Sequence, residues 1–364
     1  MSEIASIWER YQEEKKAGRP AALATLVRTR GSSYRRAGAR ALVLANGQLL
    51  GGISGGCLEQ DVALRAREVL EAGAPTLLHY DTGADDDRLF GLNIGCGGLL
   101  EVLVEPLEGP AAELIGLLAQ LEKERQRAVL ATVISPAGLG QRLLLAAGGE
   151  VLHSTLRDAG LAAAARVHAG KPASPWLKLE EPAAELFLEK VAPPQALVLF
   201  GSGFDLDPLV SFGRALGFEV VVVDIRGSEA ALARFTGAHR RLARRGAAAA
   251  IAELAPLLDE SGAALVVNHH YDDDRELIRE LLRTEVGYLG LLGPQSRGQR
   301  LLGELAARDP ELATARVFSP VGLDLGADTP EKVALSILAE ILAVLAGREG
   351  GFLKKRIAPI HSVY

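Results

Sequence analysis

Residues 196–209 read ALVLFGSGFDLDPL. Five apolar residues run without a polar break into Gly-Ser-Gly and then into a segment of helical length. A strand apolar on both faces belongs in a parallel sheet covered by helices on both sides. In such a turn the first glycine, Gly201, permits the sharp change of direction, and the second, Gly203, lets a pyrophosphate approach the backbone. Asp224 closes the next apolar run, FEVVVVD, and is placed to accept hydrogen bonds from ribose hydroxyls. Leu206 occupies the third position, where Gly or Ala normally allows close helix packing, and Asp205 and Asp207 bring negative charge to the phosphate position. The turn therefore reads either as a nucleotide-type site or as a plain strand-to-helix connection.

Towards the C-terminus the pattern repeats with AALVVNHH and VGYLGLLGP, so residues 193–364 are expected to form a Rossmann-like, doubly wound parallel-sheet domain. Asn268-His269-His270-Tyr271 sits at the end of one such strand, where His269 could serve a nicotinamide enzyme as acid or base. The histidine pair lacks a third metal ligand at recognisable spacing. In DTPEKVALSILAEILAVLAG, Thr329 is a helix cap, Pro330 the first helical residue and Gly347 the stop. This helix is apolar over more than a narrow stripe, so it is either a core helix or half of a homodimer contact.

Towards the N-terminus, Pro193-Pro194 punctuates the chain. Residues 109–192 are rich in Ala, Leu and Gly, show strand-like AVLATVISP and QRLLLAAGGEVLH, and carry no concentrated polar motif. They are expected to continue the N-terminal half as an intermediate α+β segment, and no repeat is apparent. Residues 1–108 read as an α+β domain with an amphipathic first helix and an Asn46-Gly47 hairpin.

That first domain holds the densest chemistry, RTRGSSYRRAGARALVLANGQLLGGISGGCLEQD. Arg35, Arg36 and Arg40 stand beside a Gly-Ser-Ser turn, and the guanidinium fork suits phosphate and other oxyanions, although such a run also fits a solvated basic loop. Gly55 and Gly56 leave the backbone bare before Cys57. With Ser54 as N-cap, Cys57 falls in the first helical turn, where backbone N–H groups favour a thiolate or a bound anion. Such a thiol is nucleophilic or metal-seeking. Cys96, framed by glycines in NIGCGG, is a second candidate, and either cysteine alone also fits a small buried hydrophobe.

The chain of 364 residues is 48% hydrophobic and 24% charged with a formal net charge of −6, the balance of a soluble globular protein without the basic face that nucleic acid requires. No stretch reaches the ~18 apolar residues of a membrane span. The first residues show no secretory signal, so a reducing cytoplasm with free thiols is expected.

GSSYRRAGAR, GGISGGCLE, NIGCGG with VLVEPL, LVLFGSG, GYLGLLGP and SPVGLDLGADTPEKVALSILAEILA together resemble the XdhC and CoxI family of xanthine dehydrogenase accessory factors. The resemblance spans Gly31 to Gly351 in order. It implies a protein that binds the molybdenum cofactor (molybdopterin), protects it while it gains its sulfido ligand, and delivers it to a molybdenum hydroxylase apoenzyme, with a cysteine desulfurase as sulfur donor. In that role Cys57 contacts the metal or sulfur, with Cys96 second. Arg35, Arg36 and Arg40 hold oxyanions, and Gly201, Gly203 and Asp224 hold a nucleotide-like end. The family's usual Gly-Ala-Gly-His-Asp-Ala is here Gly-Ser-Gly-Phe-Asp-Leu, and its Thr-His-Asn-Tyr is Asn-His-His-Tyr. The implied protein is a carrier more than a catalyst. The rival readings are an NAD(P)-dependent oxidoreductase using His269 and an interaction scaffold with a vestigial Rossmann half.

Overall fold

The computed structural model describes residues 2–31, 33–81, 98–169, 174–181 and 183–357. The chain is α/β, an N-terminal α+β unit followed by a Rossmann unit, and the two compact units divide at Pro193/Pro194.

In the first unit the order is α1 (Glu3–Lys16), β1 (Ala21–Gly31), β2 (Arg40–Leu44), β3 (Leu49–Gly51), α2 (Glu59–Ala72), β4 (Thr76–Asp81) and β5 (Gly98–Pro106). It continues with α3 (Gly109–Lys123), β6 (Ala128–Val133), β7 (Arg142–Ala146), β8 (Val151–Ser154), α4 (Ala159–Ala169), β9 (Trp176–Leu179) and β10 (Ala184–Val191). These make two antiparallel five-stranded sheets, β3-β2-β1-β5-β4 and β8-β7-β6-β10-β9. The second order is the first with each strand number raised by five. A repeat that the sequence reading does not pick out is therefore present in the fold. The two copies share helix and strand order and burial pattern more than residue identity.

Alternation along the strands gives each sheet two buried faces. Leu23 and Leu42 of one sheet and Leu130 and Leu144 of the other enter a core shared with α1 and α3. Ala24, Leu26 and Val43 turn instead to Val62, Ala66 and Val69 of α2, while Ala131, Val133 and Leu145 turn to Leu161 and Ala165 of α4. Helix α1 starts where the Ser2 hydroxyl accepts from the Ala5 amide at 3.1 Å, with Glu3 in its first turn and Lys15 and Lys16 in its last.

The second unit runs β11 (Ala196–Phe200), α5 (Leu206–Ala215), β12 (Glu219–Asp224), α6 (Glu229–Leu232), β13 (Arg240–Ala243) and α7 (Ala247–Leu254). It ends with β14 (Ala263–Val266), α8 (Tyr271–Leu281), β15 (Tyr288–Leu291), α9 (Gln295–Arg308), β16 (Val317–Phe318) and α10 (Pro330–Leu345). The sheet is parallel throughout, in the order β13-β12-β11-β14-β15-β16, and reverses direction of growth between β11 and β14. Large apolar cores cover both faces. Helix α10 begins with Thr329 as cap and Pro330 as first residue, and buries Ala334, Ile337, Leu338 and Ile341 in one of these cores. It is thus a core helix, although Leu335 and Leu342 stay exposed. Among the described residues no helix is long and apolar enough to cross a membrane.

Candidate functional site

The β3–α2 loop, residues 52–58, folds around the carboxylate of Glu59. Its Oε1 accepts from the amides of Ile53 and Ser54 at 3.2 and 2.8 Å, and its Oε2 from the Ser54 hydroxyl and the Leu58 amide at 2.6 and 3.2 Å. Ile53 and Leu58 are fully buried and pin both ends of the loop. Burial opposes the charge of Glu59, but the hydroxyl and amide of Ser54 and the neighbouring amides outweigh it and hold the carboxyl below the usual range. The amides of Ile53, Ser54 and Leu58 are therefore occupied by the chain's own carboxylate.

This corrects the expected place of the thiol. Helix α2 begins at Glu59 with Leu58 at the N-cap position, so Cys57 precedes the helix and does not lie in its first turn. The Ser54 hydroxyl still accepts from the Leu58 amide at 3.1 Å, but it serves the loop. Cys57 is a free, exposed thiol. Next to it Gly56 has φ +108° and open space where a side chain would project. Gly55 lies against the ring of Tyr34, 3.4 Å from the place of a Cβ, which joins this loop to the β1–β2 loop. Tyr34 is itself 78% exposed.

The three arginines separate. Arg36 is exposed and makes no ion pair among the described residues. Arg35 is held by Glu3, Nη2 to Oε2 2.6 Å, while the other oxygen of Glu3 accepts from the Arg40 amide. Arg40 is buried and bidentate on Glu189, with Nη1 to Oε1 2.8 Å, so its guanidinium is already engaged within the fold. Cys96 lies outside the described residues. Among the described residues no cluster of three His, Cys, Asp or Glu could hold a metal ion, so a thiol-bound metal would draw on Cys57 and on ligands of its own.

In the second unit the switch point between β11 and β14 has its glycines explained by the chain itself. A Cβ on Gly201, at φ +148°, would lie 2.3 Å from the Val267 carbonyl oxygen. A Cβ on Gly203 would meet Asp205 Oδ1 and stand 3.5 Å from His269 Nε2. The space left by Gly203 thus holds the Asp205 carboxylate, whose Oδ1 is buried without a hydrogen-bond donor among the described residues. Asp224 is buried and accepts from the Ser228 amide at 2.7 Å, closing the turn after β12. His269 is exposed, 4.0 Å from Asp205 Oδ2.

Sequence reasoning missed Asp274, which is fully buried at the start of α8 and paired with Arg297 at 2.6 Å. Desolvation pushes its carboxyl up to about 6 against the pull of Arg297. The signal was available: Asp274, Leu277, Ile278 and Leu281 share one helical stripe, so the third aspartate of the acidic run takes an apolar position.

The family description "XdhC and CoxI family" matches residues 15–81, which include the Cys57 loop, and "XdhC Rossmann domain" matches residues 197–341. A Bacillus subtilis protein, described as a probable subunit of xanthine dehydrogenase, is 31% identical over 88% of this chain and 92% of its own length. The molybdenum cofactor insertion chaperone PaoD of Escherichia coli is 24% identical over 92% of this chain and 86% of its own. A crystal structure described as a xanthine dehydrogenase from Bacillus halodurans aligns with a TM-score of 0.76 and 27% identity, covering 96% of this chain and 97% of that one. The chain belongs to the XdhC and CoxI family.

Proposed function

We propose that the protein is a maturation factor that takes the molybdenum cofactor as cargo at the two loops of its N-terminal unit and passes it to a molybdenum hydroxylase apoenzyme. The observation that carries this reading is an exposed thiol, Cys57, raised on a loop that Glu59 holds in shape, with open space over Gly56. A thiolate is a soft donor suited to a metal or to sulfur, and the exposed guanidinium of Arg36, which makes no ion pair among the described residues, suits a phosphate together with Arg35 of the same loop. The family membership and the named role of the Escherichia coli relative support it.

The finer parts belong to the same proposal. The cofactor acquires its sulfido ligand while held, with a cysteine desulfurase as donor and Cys96 as the second thiol. The protein works in the cytoplasm, as a homodimer that covers Leu335 and Leu342. In the Rossmann unit, Gly201, Gly203 and Asp224 belong to a separate site for a nucleotide-like ligand. Hydride transfer from NAD(P) with His269 as acid or base draws less support, because the Asp205 carboxylate sits where a pyrophosphate would come closest.

The test is an anaerobic equilibrium titration of isolated molybdenum cofactor against the wild type, Cys57→Ala and Arg36→Ala. Both variants should bind more weakly. Equal binding by all three would move the site elsewhere.

A further inference from the structure

The two sheets of the N-terminal unit correspond residue by residue. In β1, Ala21, Leu23, Ala24 and Thr25 find the same residue types in β6 at Ala128, Leu130, Ala131 and Thr132. Thr25 stands opposite Arg40, and Thr132 stands opposite Arg142. Leu23 stands opposite Glu105, and Leu130 opposite Glu189. Val27 and Leu103 meet Ile134 and Phe187, their counterparts, in one small cluster.

The polar contacts between the sheets are reciprocal. Arg40 of the first sheet grips Glu189 of the second, and Arg142 of the second grips Glu105 of the first, each as a bidentate pair. Each arginine also donates to a glycine carbonyl two residues earlier, Gly38 at 3.0 Å and Gly140 at 3.1 Å. Residue i of one half meeting j of the other, while j of the first meets i of the second, is the mark of a two-fold interface. Unrelated sheets would have to reproduce strand order, register, the buried threonines and both arginine pairs independently.

The copies differ in their loops. Seven residues, 52–58, join β3 to α2, whereas four, 155–158, join β8 to α4. The second copy has no counterpart of Gly55-Gly56-Cys57, and its β6–β7 loop, ISPAGLGQ, carries no arginine. Glu189 nevertheless reaches the loop of the first copy. It holds Arg40, which holds the Gly38 carbonyl, and a Cβ on Gly38 would lie 3.1 Å from Glu189 Oε1. Two residues before Gly38, the Arg36 carbonyl accepts from the Ala39 amide at 3.1 Å and closes the turn.

We infer that residues 2–193 are an internal duplication, a two-fold pseudo-dimer within one chain, whose second copy acts as a built-in partner and positions the arginine loop of the first copy through Glu189. Only the identification of that loop as a cofactor site rests on the function proposed above. Glu105 is the built-in control, since it makes the equivalent pair at a loop without candidate groups.

The test uses the full chain carrying Glu189→Gln or Glu105→Gln. Each leaves a buried arginine without its carboxylate, so the unfolding equilibrium constants of the two variants should shift alike, within about twofold of each other. Native-state tryptic cleavage after Arg35 and Arg36 should accelerate roughly tenfold or more in Glu189→Gln alone, because only that variant releases the loop. If either Gln variant fails to fold, Glu189→Asp and Glu105→Asp, which keep the charge and shorten the arm, are compared in the same way. Unlike stability losses, no acceleration in the Glu189 variant, or equal acceleration in both would overturn the inference. Faster cleavage with undiminished cofactor affinity would uphold the duplication and its positioning residue while removing this loop from the cofactor site.

Discussion

Replacing Glu59 with Gln keeps the side-chain volume and removes the charge around which residues 52–58 are wrapped. The carboxylate accepts from three amides and one hydroxyl. In the amide, one of the two terminal atoms becomes a donor and must face at least one backbone amide that also donates. A hydrogen bond to a charged acceptor contributes ~1.5–3 kcal/mol and a neutral one ~0.5–1.5 kcal/mol. Leu58 keeps a second partner in the Ser54 hydroxyl, and an opened loop is rehydrated, so the net loss is put at ~2–3 kcal/mol. That corresponds to ~30- to 150-fold in the opening equilibrium of the loop. Hydrogen exchange at the Ile53 and Ser54 amides should accelerate by this factor, and the N-terminal unit should melt about 4–12 °C lower. The pH dependence follows from the sign of the shift. The folded carboxyl titrates below its unfolded value, so its contribution is complete above the ordinary glutamate range and is lost as pH falls through the folded value. The Gln variant should lack that acid-side decline. Unchanged exchange at Ile53 and Ser54 would show that the carboxylate does not hold the loop.

For Asp274, whose carboxyl is pushed up to about 6, the folded state binds its proton more tightly than the unfolded chain. The stability of the C-terminal unit should therefore fall by roughly 2–3 kcal/mol as pH rises from about 4 through about 6, and denaturation curves of Asp274→Asn should lack this slope. Gly201→Ala brings a Cβ within 2.3 Å of the Val267 carbonyl at a strained backbone angle, and thermal denaturation should show a loss of more than ~3 kcal/mol. Cys57→Ser alters an exposed side chain, so its stability should stay within ~0.5 kcal/mol of wild type while thiol alkylation, read in a Cys96→Ser background, disappears.

The Rossmann half was legible because its strands are apolar on both faces. Each strand announces itself locally, from Ala196–Phe200 through Glu219–Asp224 to Tyr288–Leu291. The duplication was hidden. Its evidence lies in pairs such as Arg40 with Glu189 and Arg142 with Glu105, whose partners are far apart in the chain and visible only once the strands are in register. An arginine beside other arginines reads as surface charge, so Arg40 joined the anion-binding set although the fold buries it. The cysteine loop shows the same blind spot. Glycines before a helix signal free backbone donors, but the sequence does not say that the first helical side chain, Glu59, turns back to take the amides of Ile53, Ser54 and Leu58. In the Rossmann turn the Asp205 carboxylate fills the space that Gly203 leaves.

The central claim, that this chain carries the molybdenum cofactor on its Cys57 loop, is met most directly by metal analysis and absorbance of protein isolated anaerobically from a molybdenum-replete host. Wild type should retain molybdenum and the absorbance of a bound pterin, and Cys57→Ala, equally folded, should have lost most of both. Molybdenum at background in wild type, or undiminished in Cys57→Ala, would contradict the account.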